Sequence, residues 1–266
     1  KLVDVPKPLR NIYKILSLNW KGTPDQEKLM KKSIWILSIL IIPVALAIHT
    51  VTSWLFASTS RVGWDSTIFG PYFVTGAFVS GTAAVIIAMF FYRNSYKLYD
   101  YITEIHFDKM AKLLVLVSLV YLYFNLNEFL VPAYKMKKFD ATHLHALFSG
   151  RYALMFWLVQ IGGLILPIIL LLFKKMRKPL PMTIIAVAVL LGAWFKRYLI
   201  VIPTMEHPYL PIQNVPLEFK FYTPTIIETF VSIAPIILVL MIITILSKVI
   251  PVIPVQETIE NHEETK

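Results

Sequence analysis

Six apolar runs of membrane-crossing length alternate along the chain with short polar stretches in which Lys, Arg and Pro gather. A helix rises about 1.5 Å per residue, so crossing the hydrocarbon layer takes about 20 residues. The runs fall at 33–57, 71–92, 110–133, 151–173, 182–203 and 224–247. Trp35, Tyr92, Tyr134 and Tyr152 stand near their ends, where amphipathic rings suit the interface. Pro43, Pro167 and Pro235 lie inside spans, which neighbouring helices tolerate by re-satisfying the freed carbonyls. The pattern predicts an all-α integral membrane protein, a bundle of six transmembrane helices over 33–247. A basic interfacial lead-in (1–32) precedes it and a polar tail (248–266) follows.

Charge adds an orientation. One side of the predicted bundle takes 18 Lys and Arg: the lead-in, the 93–112 and 174–178 connections, and the C-terminal end. The other takes 8, at Arg61, 135–151 and 196–220. The positive-inside bias places both termini in the cytoplasm, with His49, the 63–67 stretch and 134–150 outside. The connection 93–109 has the length and mixed polarity of a short helix lying on the inner face. Composition agrees with a membrane protein: 57% of residues are hydrophobic and 16% charged, with a mean hydropathy of +0.65. The net charge of +10 sits beside apolar spans, where topology and anionic headgroups account for it without nucleic acid. The opening Lys1-Leu2-Val3 reads as an internal start within a longer polypeptide.

The stretch 49–81 gathers the first chemistry. His49 stands near the end of the first span, an expensive position for an ionisable group in lipid. Trp64, Asp65, Ser66 and Thr67 follow in the connection 58–70. The next helix carries small residues at helical spacing, Gly76 with Ser80 and Ala77 with Gly81, expected to let a neighbour approach. At the same outer level fall Glu128 in the third span, Lys196 and Arg197 in the fifth, and Glu228 at the mouth of the sixth. Such groups must face the bundle interior or a hydrated cavity. We expect His49 and Asp65 to form an outer proton-handling group, since His titrates near neutrality. Glu128 and Glu228 are then supporting carboxylates, with Arg197 as their counter-charge. Other readings stand beside these: Asp65 as a cap of the next helix, and Lys196 and Glu206 as snorkelling side chains.

Absences narrow the chemistry. The chain has no cysteine, which excludes a thiolate-ligated iron–sulfur cluster and a disulfide. Only His49 of six histidines lies well inside a span, which argues against a bis-His haem. His143 and His145 lack a third ligand in sequence, so no metal site is expected. No nucleotide-binding or hydrolase motif occurs, and no catalytic residue is expected.

The run R-N-I-Y-K-I-L-S-L-N-W-K-G (10–22), H-T-V-T-S-W-L-F-A (49–57) and the G-W-D-S-T-I-F-G-P-Y-F-V-T-G-A-F-V-S-G block (63–81) resemble the polysulfide-reductase-type, NrfD-like membrane subunits. Supporting likeness lies at Tyr121, Tyr123, Glu128, W-F-K-R-Y-L-I-V-I-P (194–203) and Tyr222-Thr223-Pro224. Within that family the chain is most similar to the larger quinone-interacting subunit of bacterial alternative complex III, and to its C-terminal part. The resemblance implies a bacterial inner-membrane complex oxidising quinol, menaquinol or ubiquinol, on the outer side. Its partners would be iron–sulfur and c-type haem subunits and a second NrfD-like membrane subunit. It implies no covalently bound cofactor here, most quinol contacts in a preceding bundle, and a proton pathway in this one. The chain departs from the family pattern at Leu55 and Lys196, where acidic or polar residues are usual, and at Asp65, where histidine is. A static scaffold and a secondary transporter are the competing readings.

Overall fold

The computed structural model describes residues 10–11, 14–15, 17–18, 20–59, 61–206, 216 and 221–249. The first nine lead-in residues and nearly all of the predicted polar tail lie outside them. All six expected spans are helical: α1 (Pro24–Ala57), α2 (Phe69–Ser95), α3 (Glu104–Lys135), a composite span, α7 (Pro179–Met205) and α8 (Ile226–Val249). The composite span runs through α5 (Ala153–Trp157), a π-helical segment (Leu158–Ile165) and α6 (Leu166–Leu172). Each has the length and hydropathy to cross a bilayer.

Two compact units are present, residues 1–36 with 222–266 and residues 37–221. In the first, α1 starts earlier than expected because Thr23 and Gln26 close a capping box. Gln26 N–H donates to Thr23 Oγ1 at 3.4 Å, and Thr23 N–H donates back to Gln26 Oε1 at 3.4 Å. The same device opens α8. Thr225 N–H donates to Glu228 Oε2 at 2.7 Å, and Glu228 N–H donates to Thr225 Oγ1 at 3.3 Å.

The second unit is built on α2, α3, the composite span and α7. Val79, Ala83 and Ile86 of α2 meet Phe107, Ala111 and Leu114 of α3, Leu171 of α6, and Met182, Ile185, Ala186 and Val189 of α7. On each long helix these positions recur every three or four residues, so one stripe faces inward while Leu, Ile and Phe elsewhere face outward. Lipid tails are as apolar as those side chains, so close packing rather than hydrophobic burial holds such helices together.

The closest approach is not where small-residue spacing suggested. A Cβ built on Gly192 of α7 would stand 2.6 Å from Gly163 Cα, and one on Gly163 would stand 2.7 Å from Gly192 Cα. The π segment and α7 thus touch backbone to backbone. Gly76 does give α3 access, its site facing the Tyr121 ring at 3.0 Å. Ser80 only returns its hydroxyl to Ala77 O at 3.0 Å, and Gly81 faces open space, so the packing role expected for that pair is not realised.

Two connections differ from expectation. The stretch 93–109 holds no interfacial helix of its own. The long helices extend into it, and a Thr103–His106 capping box starts α3 only eight residues after α2 ends. The stretch 134–150 instead contains α4 (Lys138–Phe148), with Asp140, His143, Leu144 and Leu147 turned inward. At the end of α6, Arg177 donates through Nε to Leu171 O at 2.6 Å, through Nη2 to Leu172 O at 3.1 Å, and through Nη1 to Asp108 of α3 at 3.1 Å. One guanidinium satisfies two terminal carbonyls and ties that helix end to α3.

Gly192→Ala should destabilise the protein by about 1–3 kcal/mol through overpacking against Gly163. Gly81→Ala should lie within about 0.5 kcal/mol of the parent. Thermal unfolding of the two variants in detergent checks both.

Candidate functional site

The polar layer lies at one end of the second unit. Glu128 is 20 residues along α3 from Asp108, about 30 Å of helix. Three elements carry it: α3, the last turns of α7, and the 58–68 connection. That connection is pinned by Trp64, whose indole N–H donates to Ile200 O at 2.8 Å while its ring meets Phe56 edge-on at 5.0 Å. Gly63 makes the path possible. Its φ of +83° is strained for other residues, and a Cβ there would stand 3.0 Å from His143 Nε2 and 3.3 Å from Thr204 Oγ1.

Fixed in this way, Ser66 donates its hydroxyl to Glu128 Oε2 at 2.6 Å. Glu128 is 6% exposed. Lys196, one turn before Ile200 on α7, is 5% exposed and points inward rather than snorkelling. Its Nζ lies 4.5 Å from the Phe129 ring centroid, 5.4 Å from Phe156 and 5.7 Å from Tyr72. Such ring faces attract a desolvated ammonium by about 2 kcal/mol or more each, but they replace none of the hydrogen bonds that its water shell made.

Arg197 turns the other way, its guanidinium 3.8 Å over the Phe73 ring. No ion pair joins it to Glu128 among the described residues, so the structure does not bring that expected counter-charge to Glu128. Nη1 is buried without a hydrogen-bond partner there. Glu228 is the exposed N-terminal capping carboxylate of α8, with Tyr222 OH as a further donor at 3.3 Å.

His49 is half-buried on α1, and no hydrogen bond joins it to Asp65. Asp65 is exposed and does not cap α2: Ile68 holds the N-cap position without a side-chain bond. Asp65 stands near enough to act on Asp140 of α4. Burial, and then the Asp65 charge, push the Asp140 carboxyl above its ordinary range, against Lys137 and Lys135.

Two cavities of about 30 Å³ each flank Lys196, and each has room for a water or two. The first is lined by Tyr72, Tyr121, Gln160, Lys196 and Arg197 among apolar neighbours. The second is lined by Gly63, Glu128, His143, Lys196 and Thr204. Tyr72 and Tyr121 stack at 5.2 Å and 8°, and Tyr121 OH donates to Tyr72 OH at 3.4 Å. Gln160, in the π segment, exchanges amide hydrogen bonds of 2.8 and 3.4 Å with Asn125 of α3.

Sequence reasoning missed the Asn125–Gln160 pair, Thr204 and the inward Lys196. The T-x-x-E box at 225–228 was legible and identifies the role of Glu228.

The sequence profile described as polysulphide reductase, NrfD, matches residues 6–207. The chain belongs to the NrfD family. Among curated proteins, this NrfD-family chain is 27% identical over 256 residues to a selenate reductase subunit of Mesobacillus selenatarsenatis. The match covers 92% of the chain and 59% of that relative, so the chain spans little more than half the relative's length. Family and spans together make it a multi-pass membrane protein.

Asp140→Asn should raise the unfolding temperature near pH 7.5, and the gain should shrink as pH falls through the carboxylate range. A carboxyl raised in the fold contributes its full stability at low pH and loses it as pH rises past its folded pKa. Melting curves at stepped pH check the sign. Gln160→Leu should cost about 1–3 kcal/mol by stranding the buried Asn125 amide. Adding Asn125→Leu should recover part of that loss in the same assay.

Proposed function

We propose that the chain is the quinol-interacting membrane subunit, or the C-terminal part of one, in a multisubunit redox complex of the bacterial inner membrane. The observation that carries this reading is the buried Glu128–Ser66–Lys196 constellation at one end of an NrfD-family bundle. Ionisable groups enclosed there mark proton or polar-headgroup handling. On the positive-inside orientation that end faces outward, with both termini in the cytoplasm, where protons from quinol oxidation would be released. Electrons would pass to iron–sulfur partner subunits, since the chain has no cysteine to ligate a cluster itself.

Two complexes fit. One is of the alternative complex III type, with c-type haem subunits and a second NrfD-like subunit, as the sequence likeness implies. The other is a terminal reductase complex, favoured by the similarity to the selenate reductase relative. Both use menaquinol or ubiquinol as donor. Glu128 is the principal proton-handling group of this reading, with His49 and Asp65 on the outer approach.

Mild detergent purification of the native complex, with subunit mass spectrometry and haem and iron assays, separates the two. Iron–sulfur subunits with haem c support the first complex, and iron–sulfur subunits without haem c the second. A lone polypeptide without metal sinks both. In the intact complex Glu128→Gln should slow quinol turnover by about tenfold or more, whereas a scaffold would lose nothing. His49→Gln should slow it less, because that ring has no hydrogen-bonded partner among the described residues.

A further inference from the structure

The Lys196 ammonium is a problem that the ring faces alone do not solve. It is enclosed by α2, α3, α5 and α7, and no hydrogen bond or ion pair reaches it among the described residues. A buried ammonium left so would be strongly destabilising or would give up its proton. Thr204, two turns further along α7, repeats the pattern: it is 3% exposed and its hydroxyl has no partner among the described residues. Both line the cavity that Glu128 lines, and that cavity has the volume and the polar walls to hold water.

We propose that water in this cavity joins Lys196 to Glu128 and Thr204, making Lys196, not Arg197, the charge partner of Glu128. The proposal has a second half, which rests on the proton-handling reading above. Lys196, Tyr72 and Ile200 line both cavities and so form the wall between them, Lys196 being the one charged residue of the three. The four-carbon stem lets the ammonium face either side. Turned to the first cavity, beside Gln160, Tyr121 and Arg197, a neutral Lys196 amine accepts a hydrated proton there, so that one O–H bond of the hydronium breaks and neutral water remains. Turned to the second, it releases that proton through water to the Glu128 carboxylate. The N–H bond forms as the hydronium O–H bond breaks, and it breaks as the carboxyl O–H bond of Glu128 forms; no electron moves. Lys196 is thus a positioning and carrier group for protons, and Ser66 holds the acceptor carboxylate still.

Other charges facing the pair are few. Asp65 in the connection adds negative charge near Glu128, and Asp140 on α4 stands near Asp65. Arg197 adds positive charge on the first-cavity side. His143, Tyr72 and Tyr121 are the remaining titratable neighbours.

The experiment is X-ray hydroxyl-radical footprinting of the purified complex, with infrared titration of the Glu128 carboxyl band, assigned by its loss in Glu128→Gln. Radicals formed from internal water label adjacent side chains even when these are buried. Phe156 lines the second cavity and Phe107 lies in the dry core, and both are fully enclosed. Phe156 should label severalfold more than Phe107, and Lys196→Met should reduce that excess. In Lys196→Met the Glu128 carboxyl band should persist to a pH about one unit or more higher, because an opposite charge has been removed. Lys196→Arg should restore most of the parent titration. Thr204→Val, a milder change, should lower Phe156 labelling without moving the band as far.

Equal labelling of Phe156 and Phe107 in the parent overturns the proposal, as does an unchanged Glu128 titration in Lys196→Met. Neither readout needs turnover. Quinol activity with an unmoved band would therefore refute this inference alone, and a moved band without quinol activity would refute the functional reading alone.

Discussion

Charge inside a membrane protein must be compensated within the protein, because the bilayer supplies neither water nor counter-ions. In the second unit this constraint organises one whole end of the bundle. Glu128 needs a donor, and the connection 58–68 supplies Ser66 only because Trp64 holds that connection to the Ile200 carbonyl of α7. Lys196 needs electron-rich neighbours, and Tyr72, Phe129 and Phe156 bring ring faces from three further elements. Gly63 has no side chain because His143 and Thr204 already stand where one would go. Remove the two charges, and little else explains why a tryptophan, a left-handed glycine and three aromatic rings meet at one level.

The opposite end follows the same rule with more ordinary means. Arg177, Asp108 and Lys112 form a partly exposed cluster that closes the end of α6. There solvent and headgroups share the compensation, so surface charges suffice. The contrast between the two ends distinguishes charges that merely finish a helix from charges that the fold encloses.

The spans were legible because about 20 apolar residues in a row have few other uses. The layer of ionisable residues was legible for the reverse reason, since each is conspicuous against an apolar background. What sequence spacing did not convey was direction. Lys196 and Arg197 are adjacent, so they must diverge by about 100° around the helix. Which of the two turns inward depends on the rotation of α7, set one turn earlier where Gly192 meets Gly163. Gly76 and Gly81 looked alike in sequence, but only one has Tyr121 opposite it. Glu228 was read by depth, although its local Thr225 signal marks a cap. The π segment carries a Gly-Gly pair but nothing that distinguishes it in sequence from an ordinary α-helix. Gly162 and Gly163 hint at close packing, not at a widened helix.

That widened stretch has an implication for how such a bundle can change over generations. A π turn closes each hydrogen bond over one more residue than an α turn, and is the natural way for a helix to absorb a single inserted amino acid. Residues on either side keep their lipid-facing and core-facing sides, while those in between are rotated to new bearings. Here the rotated residues include Gln160 and Gly163, one bonded to Asn125 and the other in backbone contact with α7. One codon's worth of length can thus re-aim the interior of a span and leave its outer surface, and every neighbour that reads that surface, unaltered.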